Sequence, residues 1–504
     1  MFIRQKKNKT GTISVQVIDK SSGKYKVIHS SGSSADTTVI AGLTEQAKHF
    51  IHKIKRQSEF DFILGDDARY YESVYENIEQ VQLLGPELVL GKIFNEIGFH
   101  VIADELFRHL VIARLIYPVS KLKTLDYLQK YKGIVYEKDE VYRYLDKLHK
   151  EQIKQVQQIS YQHTLKVLGG VLSIVFYDVT TLYFEAQDED DLRKTGFSKD
   201  GKHQQPQIIL GLLVSRQGYP LDYEIFEGNK FEGHTMLPVI EAFTKKYQTE
   251  KLIVVADAGL MSDKNISRLT DKNFEFIIGG RIKNETQIIR QQILSLKLAD
   301  GESTILPKAG KQRLIVSYAA GRAINDEYNR KRGLARLEKQ LEKGKLTKKH
   351  INNKGYNKYL KLSGEIKIEI DYDKYKADAQ WDGLKGYLTN TTLPKEDVID
   401  YYKQLWNVEK TFRISKSDLR IRPVYHYLRR RIESHICIAF AACKVYKELE
   451  RQLKNKKSNL SPEKVIDILK TIYAITINLP QSKEKKLMLL DKTEEQKSVL
   501  KMFG

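Results

Sequence analysis

The sequence predicts an α/β protein built on one mixed sheet, and three observations carry that expectation. From Gly169 onward, strand-like apolar runs come first as a group and then alternate with helical spacing. The part before Gly169 is written mostly in helical period. The part after about residue 290 breaks the alternation with a strongly basic stretch before helical text resumes.

Taken in order, residues 11–30 hold two alternating runs around a polar turn at Gly23, which predicts a hairpin. From about 44 to 165 the spacing is helical, as in Leu106, His109, Leu110, Ala113 and Leu115-Ile116, and Pro118 ends that run. Val171–Tyr177, Gln207–Val214 and Leu221–Phe226 then read as neighbouring antiparallel strands, with Gly218-Tyr219-Pro220 as the turn between the last two. A helix near His234–Tyr247, the strand Leu252–Ala256, a helix near Ser262–Asp271 and the strand Phe274–Ile278 follow. Three antiparallel strands leading into αβαβ predict a ribonuclease-H-like topology.

Between 291 and 388 the strand candidates are Gln312–Tyr318, Glu365–Ile370 and Gly386–Leu388. Residues 329–361 among them carry 12 Lys+Arg against 2 Asp+Glu, around Leu334, Leu337 and Leu341. A basic face for a polyanion is the first reading and a solvated helical face the alternative. A helix is expected to start near Lys395-Glu396-Asp397 and run through Glu409, with another over Arg429–Leu449. The predicted division is 1–165 hairpin and helical region binding DNA, 166–290 core, 291–388 inserted β-rich and helical basic subdomain, 389–450 core helices, and 451–504 a charged, partly helical, peripheral tail.

With 85 Lys+Arg against 64 Asp+Glu the chain carries +21, which favours a polyanionic partner through counterion release. Its 29 Tyr and 18 Phe exclude a disordered basic tail. Cys437 and Cys443 fit neither a zinc site nor a disulfide framework and are expected in a core helix. With no signal-like or membrane-spanning run, the expected location is cytoplasmic and nucleoid-associated, with no membrane partner.

Three carboxylates stand out. Asp178 interrupts a long apolar strand, where a charge is costly unless it is paired or bound to a cation; capping by backbone donors or a Lys/Arg is the alternative. Asp257 closes Leu252–Ala256 at a strand end followed by a Gly turn, a usual place for functional side chains; Asp263 on the same loop fits a helix N-terminus better. On a helix through Glu409, the residues Tyr402, Leu405, Arg413 and Lys416 stand at −7, −4, +4 and +7 and share its face. Ion pairing of Glu409 with Arg413, worth a few tenths of a kcal/mol, is the plain alternative. Two strand-borne acids and one helix-borne acid suit a pair of Mg²⁺ ions ~3.5–4 Å apart, which activate one oxygen and stabilise another in phosphoryl transfer. The all-oxygen donor set disfavours zinc.

At these residues the chain resembles the DDE transposases of bacterial insertion sequences, in the superfamily named after insertion sequence four. Tyr402, Glu409 and Lys416 match its Tyr-x2-Arg-x3-Glu-x6-Lys signature, with Leu405 in place of the arginine. Gly196–Gly201, Pro206-Gln207, Gly218–Leu221, Phe226–Asn229 and Arg422-Pro423-Val424-Tyr425-His426 extend the likeness over about 170–440. The resemblance implies a ribonuclease-H-like core in which Asp178, Asp257 and Glu409 bind two Mg²⁺ ions, with Mn²⁺ able to substitute. It implies nicking at terminal inverted repeats followed by strand transfer to target DNA, by a homodimer on paired ends. Tyr402, Lys410, Arg413 and Lys416 would contact DNA. Relatives place a tryptophan in the insertion against a flipped base; Trp381 is the nearest candidate, with packing in a core as its alternative, while alignment on Tyr387-Leu388-Thr389 puts Lys385 at that position. Lys121, Lys123, Lys130 and Lys132 mark Tyr117–Lys132 as a stretch for holding DNA backbone, or else a solvated scaffold. Two other classes fit the residues: a nuclease on the same core without strand transfer, and a DNA-binding repressor that has lost catalysis.

Overall fold

The structure is a computed structural model that describes residues 1–54, 76–198, 201–249, 252–260, 262–352, 355–363, 367–478, 484–490 and 492–504. Part of the helical expectation for 44–165, and Lys199 and Asp200, lie outside them. The chain forms two compact units, Met1–Gln82 with Tyr473–Leu490, and Leu83–Ile472 with Asp491–Gly504.

In the first unit, β1 (Phe2–Lys7), β2 (Ile13–Asp19) and β3 (Lys26–Ser34) pair antiparallel in that order. Alternation along β2 turns Val15 and Val17 onto Ile40 and Ala47 of the helical residues 37–54, closing a small core. A second sheet takes β4 (Ile78–Leu83), β15 (Tyr473–Asn478) and β16 (Lys485–Leu489) in the order β16-β15-β4. The segment after Arg451 was expected to be a peripheral tail, and this corrects it. Tyr473-Ala-Ile-Thr-Ile-Asn478 is β-branched at three of six positions, a strand composition that the surrounding charge obscures.

The second unit is organised on an eight-stranded sheet. Its centre is β5 (Ile174–Tyr183), β6 (Gln207–Ser215), β7 (Pro220–Glu227), β8 (Ile253–Ala256) and β9 (Glu275–Gly280), in the order β9-β8-β5-β6-β7. β5, β6 and β7 form an antiparallel meander, while β5, β8 and β9 run parallel. These are the order and senses of a ribonuclease-H-like fold. Val175, Tyr177 and Val179 of β5 pack against Met236, Val239, Ile240 and Phe243 of the helix Met236–Tyr247. Alternation therefore turns Asp178 to the opposite face, where the helix Trp406–Arg413 lies against β5 and β6.

The segment after β9 adds three strands to the central sheet. β10 (Ser303–Pro307), β11 (Arg313–Tyr318) and β14 (Leu384–Thr389) extend the central sheet in the order β10-β11-β14-β9, all antiparallel. β12 (Leu360–Ser363) and β13 (Lys367–Ile370) form a separate hairpin. Tyr359, Leu360 and Ile370 there share a satellite core with Leu337 of the helix Ala320–Glu342. The basic stretch 329–361 is less one-sided than its sequence: Arg330 pairs with Asp382, Lys331 with Glu327 at 2.6 Å and Lys358 with Asp378 at 2.6 Å.

The helix Arg429–Asn455 is buried nearly all round from Ser434 to Leu449. It packs on the helices Glu105–Ile116, Lys138–Lys147 and Ile153–Val167 and on β7, so the expected single apolar face became a central one. Both cysteines lie buried in it. Among the described residues no helix is long and apolar enough to cross a membrane.

Candidate functional site

Asp178 and Asp257 are brought together by strand register. β5 and β8 pair in parallel with Tyr177 opposite Ala256, so the next residues in that register are Asp178 and Asp257, on strands about 4.8 Å apart. Asp178 is half-buried in the middle of β5, whereas Asp257 is exposed just past the carboxyl end of β8. Parallel strands commonly present functional groups there. Ala258–Leu260 turns back over it, and Gly259 N–H donates to the Asp257 carboxylate at 3.4 Å.

Glu409 arrives from elsewhere. The single helix expected from Lys395 through Glu409 is two, Lys395–Lys403 and Trp406–Arg413, broken where Gln404 N–H turns back on the carbonyls of Asp400, Tyr401 and Tyr402. A π-helix, Ile414–Asp418, follows and carries Lys416. The stripe of Tyr402, Leu405, Glu409, Arg413 and Lys416 therefore does not lie on one straight α-helix. Leu405 is buried, which accounts for an apolar residue at the signature arginine position.

Tyr402 is 7% exposed, and its Oη donates to Asp257 at 3.1 Å. Burial first, then the Asp257 charge and the bond to it, with Glu409 a smaller contributor, raise its phenol above the ordinary tyrosine range. Expected to hold a phosphate, Tyr402 here fastens Asp257. The backbone permits this because residue 279 is glycine, where a Cβ would sit 2.6 Å from the Tyr402 Oη.

Lys385 on β14 stands over the Tyr402 ring at 4.6 Å. Burial and Arg322 lower its pKa, while Asp257 and Glu409 act in the opposite sense. The Lys385 ammonium and the Tyr402 phenol both lie within electrostatic reach of Asp257 and Glu409. Among the described residues neither acid has a Lys, Arg or His within ion-pairing distance. In a chain of +21 charge, that leaves two oxygen donors open to a hard cation, a set suited to Mg²⁺. As placed, no three His, Cys, Asp or Glu side chains among the described residues are drawn together as a ligand group.

The other expected contacts separate. Arg413 is exposed, and Lys416 is half-buried. Lys410 pairs with Glu450, which turns it toward the Arg429–Asn455 helix. Trp381 is 5% exposed in a core with Ile282, Ile293, Leu314 and Val316, and Arg290 covers its ring at 5.7 Å, which is the packing alternative to base stacking. Sequence reading missed Arg281, whose guanidinium donates to the Ala258 carbonyl at 2.6 Å on the Asp257 loop. Its signal was its place directly after β9, at the carboxyl end of a parallel strand.

The strand order and senses define a ribonuclease-H-like α/β protein, with Asp178 in the middle of one parallel strand and Asp257 just past the end of its neighbour. The model of the transposase DDE domain matches residues 169–443, more than half of the chain, and the chain belongs to that family. Members of the family generally use divalent metals and act on DNA. No curated protein matches the chain. A solved structure, a piggyBac transposase synaptic complex with hairpin DNA, is similar at TM-score 0.38 and 9% identity, over 77% of this chain and 79% of that one.

Proposed function

We propose that the chain binds the terminal inverted repeats of an insertion sequence and cleaves and joins DNA strands at Asp178, Asp257 and Glu409. The observation carrying this reading is the parallel register that sets Asp178 beside Asp257 on the sheet face covered by the Glu409 helix. These three carboxylates would hold divalent cations, Mg²⁺ or Mn²⁺, which when bound supply Lewis acidity to the attacking and leaving oxygens. The protein's own groups set the stage. Tyr402 and Gly259 N–H orient Asp257, Lys385 offers an ammonium next to Asp257 and Glu409 for a nearby phosphate, and Arg281 holds the Asp257 loop. The spacing of Tyr402, Glu409 and Lys416 supports the superfamily named after insertion sequence four. Residues 1–165 supply end recognition, and the active form is a homodimer on paired ends.

A second reading, a DNA binder without catalysis, is favoured by the lack of a preformed three-ligand group among the described residues. The test is cleavage and joining of a cognate end with Mg²⁺. Asp178→Ala, Asp257→Ala and Glu409→Gln should each abolish cutting while keeping end binding. A variant cutting at the wild-type rate removes that residue from the site, and wild-type protein that binds ends without cutting establishes the second reading.

A further inference from the structure

Away from the carboxylates, the segment Arg420–His426 and the start of the helix Lys121–Lys132 enclose a cavity of about 620 Å³. Among the described residues its lining carries the basic side chains Arg114, Lys121, Lys123, Arg420 and Arg422 and a pair of histidines, with no Asp or Glu. Arg114 is 4% and Lys121 5% exposed, and among the described residues neither has a hydrogen bond or ion pair. Burial draws the Arg114 guanidinium down to about 10, and burial together with Arg114 draws Lys121 well below its ordinary range. Burial, then Lys121, hold His426 at about 4 and His435 lower than an ordinary histidine. Buried cations of this kind are normally matched by acids, because an uncompensated charge in the interior is expensive. Lysine can escape by losing its proton, but arginine cannot. The helix start adds to the same sign: Ser120 caps it, and its first turn opens on the cavity.

We propose that this cavity binds a phosphate group of a DNA strand, as a site separate from the three carboxylates. The anion site stands on the cavity alone, and the assignment of DNA as its source rests on family membership and on two further observations. The space far exceeds one phosphate ion and is walled by Tyr142 and the 62% exposed Tyr425, surfaces fit for a sugar or base. Val424 of the same segment bridges to Phe184, six residues beyond Asp178, so the cavity lies roughly 20 Å along β5 from the carboxylates, within the length of a single bound duplex.

The experiment uses full-length protein, wild type, Lys121→Met and Arg114→Gln, in thermal melting with inorganic phosphate against chloride at matched ionic strength. Phosphate should raise the wild-type midpoint by at least about 3 °C. It should raise the variants less, and Lys121→Met without phosphate should melt no lower than wild type, since it removes a buried amine that has no partner among the described residues. In parallel, the log affinity for a short duplex is followed against log salt, and the slope should fall by ~0.9 in either variant. No phosphate-specific shift in the wild type overturns the anion site. A phosphate shift with unchanged duplex slopes makes free phosphate the ligand and overturns the DNA assignment. Should Lys121→Met fail to fold, Arg114→Gln decides alone. Asp178→Ala protein should show the full phosphate shift, so a failure of the catalytic reading leaves this result standing.

Discussion

Alanine at position 279 should release the clasp on Asp257. Its Cβ would stand 2.6 Å from the Tyr402 Oη, against 3.4 Å for ordinary contact, so the phenol must retreat by roughly 3.4 − 2.6 = 0.8 Å. That retreat takes a 3.1 Å hydrogen bond beyond useful length. A hydrogen bond to a charged group contributes about 1.5–3 kcal/mol, and because Asp257 is exposed the lower end applies. Strain from the added methyl costs about 1–3 kcal/mol. Gly279→Ala should therefore lose about 2.5–4.5 kcal/mol in urea unfolding. Tyr402→Phe should lose about 1–2 kcal/mol. Because both act through one phenol, the double variant should fall short of the sum by about 1 kcal/mol. Cleavage of an end substrate should slow about tenfold for each 1.4 kcal/mol by which Asp257 loses its orientation. Additivity within about 0.3 kcal/mol, or wild-type cutting by Gly279→Ala, would refute the coupling of glycine, phenol and carboxylate.

Three further outcomes follow from the packing and charge. Trp381→Ala should destabilise by about 3–5 kcal/mol while the folded fraction still cuts normally, as measured by unfolding and by rate per active molecule; a selective loss of cutting would return the ring to the DNA. Replacing Arg332, Arg336 and Lys339 together should lower the slope of log affinity against log salt by ~0.9 for each lost phosphate contact, and an unchanged slope would make that face mere solvation. His426 has its folded pKa near 4, below an unfolded value of about 6.5, so between these the unfolded chain binds more protons and stability rises with pH. Acidifying from pH 6.5 towards 4 should cost stability, and His426→Gln should reduce that dependence; identical pH profiles would exclude His426 as a source.

Strand alternation and turn chemistry are local, and so the meander, β8, β9 and the helix between them could be read from Val171 to Ile278. Asp178 and Asp257 were legible for the same reason, since each interrupts or ends such a run. What failed was non-local. β10, β11 and β14 read as a separate insertion because nothing in their own residues says that β14 will pair with β9. The break at Gln404-Leu405 has no proline or glycine to announce it, so one helix was expected where there are two. Trp381 and Lys410 looked available for DNA because sequence does not show Arg290 and Glu450 arriving from other elements. Lys385, matched to a family position by alignment, lies over the Tyr402 ring at 4.6 Å, within electrostatic reach of Asp257 and Glu409.

The sheet that joins β4 to β15 and β16 makes the first unit wait for residues 473–489 to be synthesised. Ile78–Leu83 finds its partner in Tyr473–Asn478, 473 − 83 = 390 residues later, which at ~5–20 residues per second is roughly 20–80 s of translation with a bare strand edge. A product terminated before residue 473 would keep that edge as a template for aggregation.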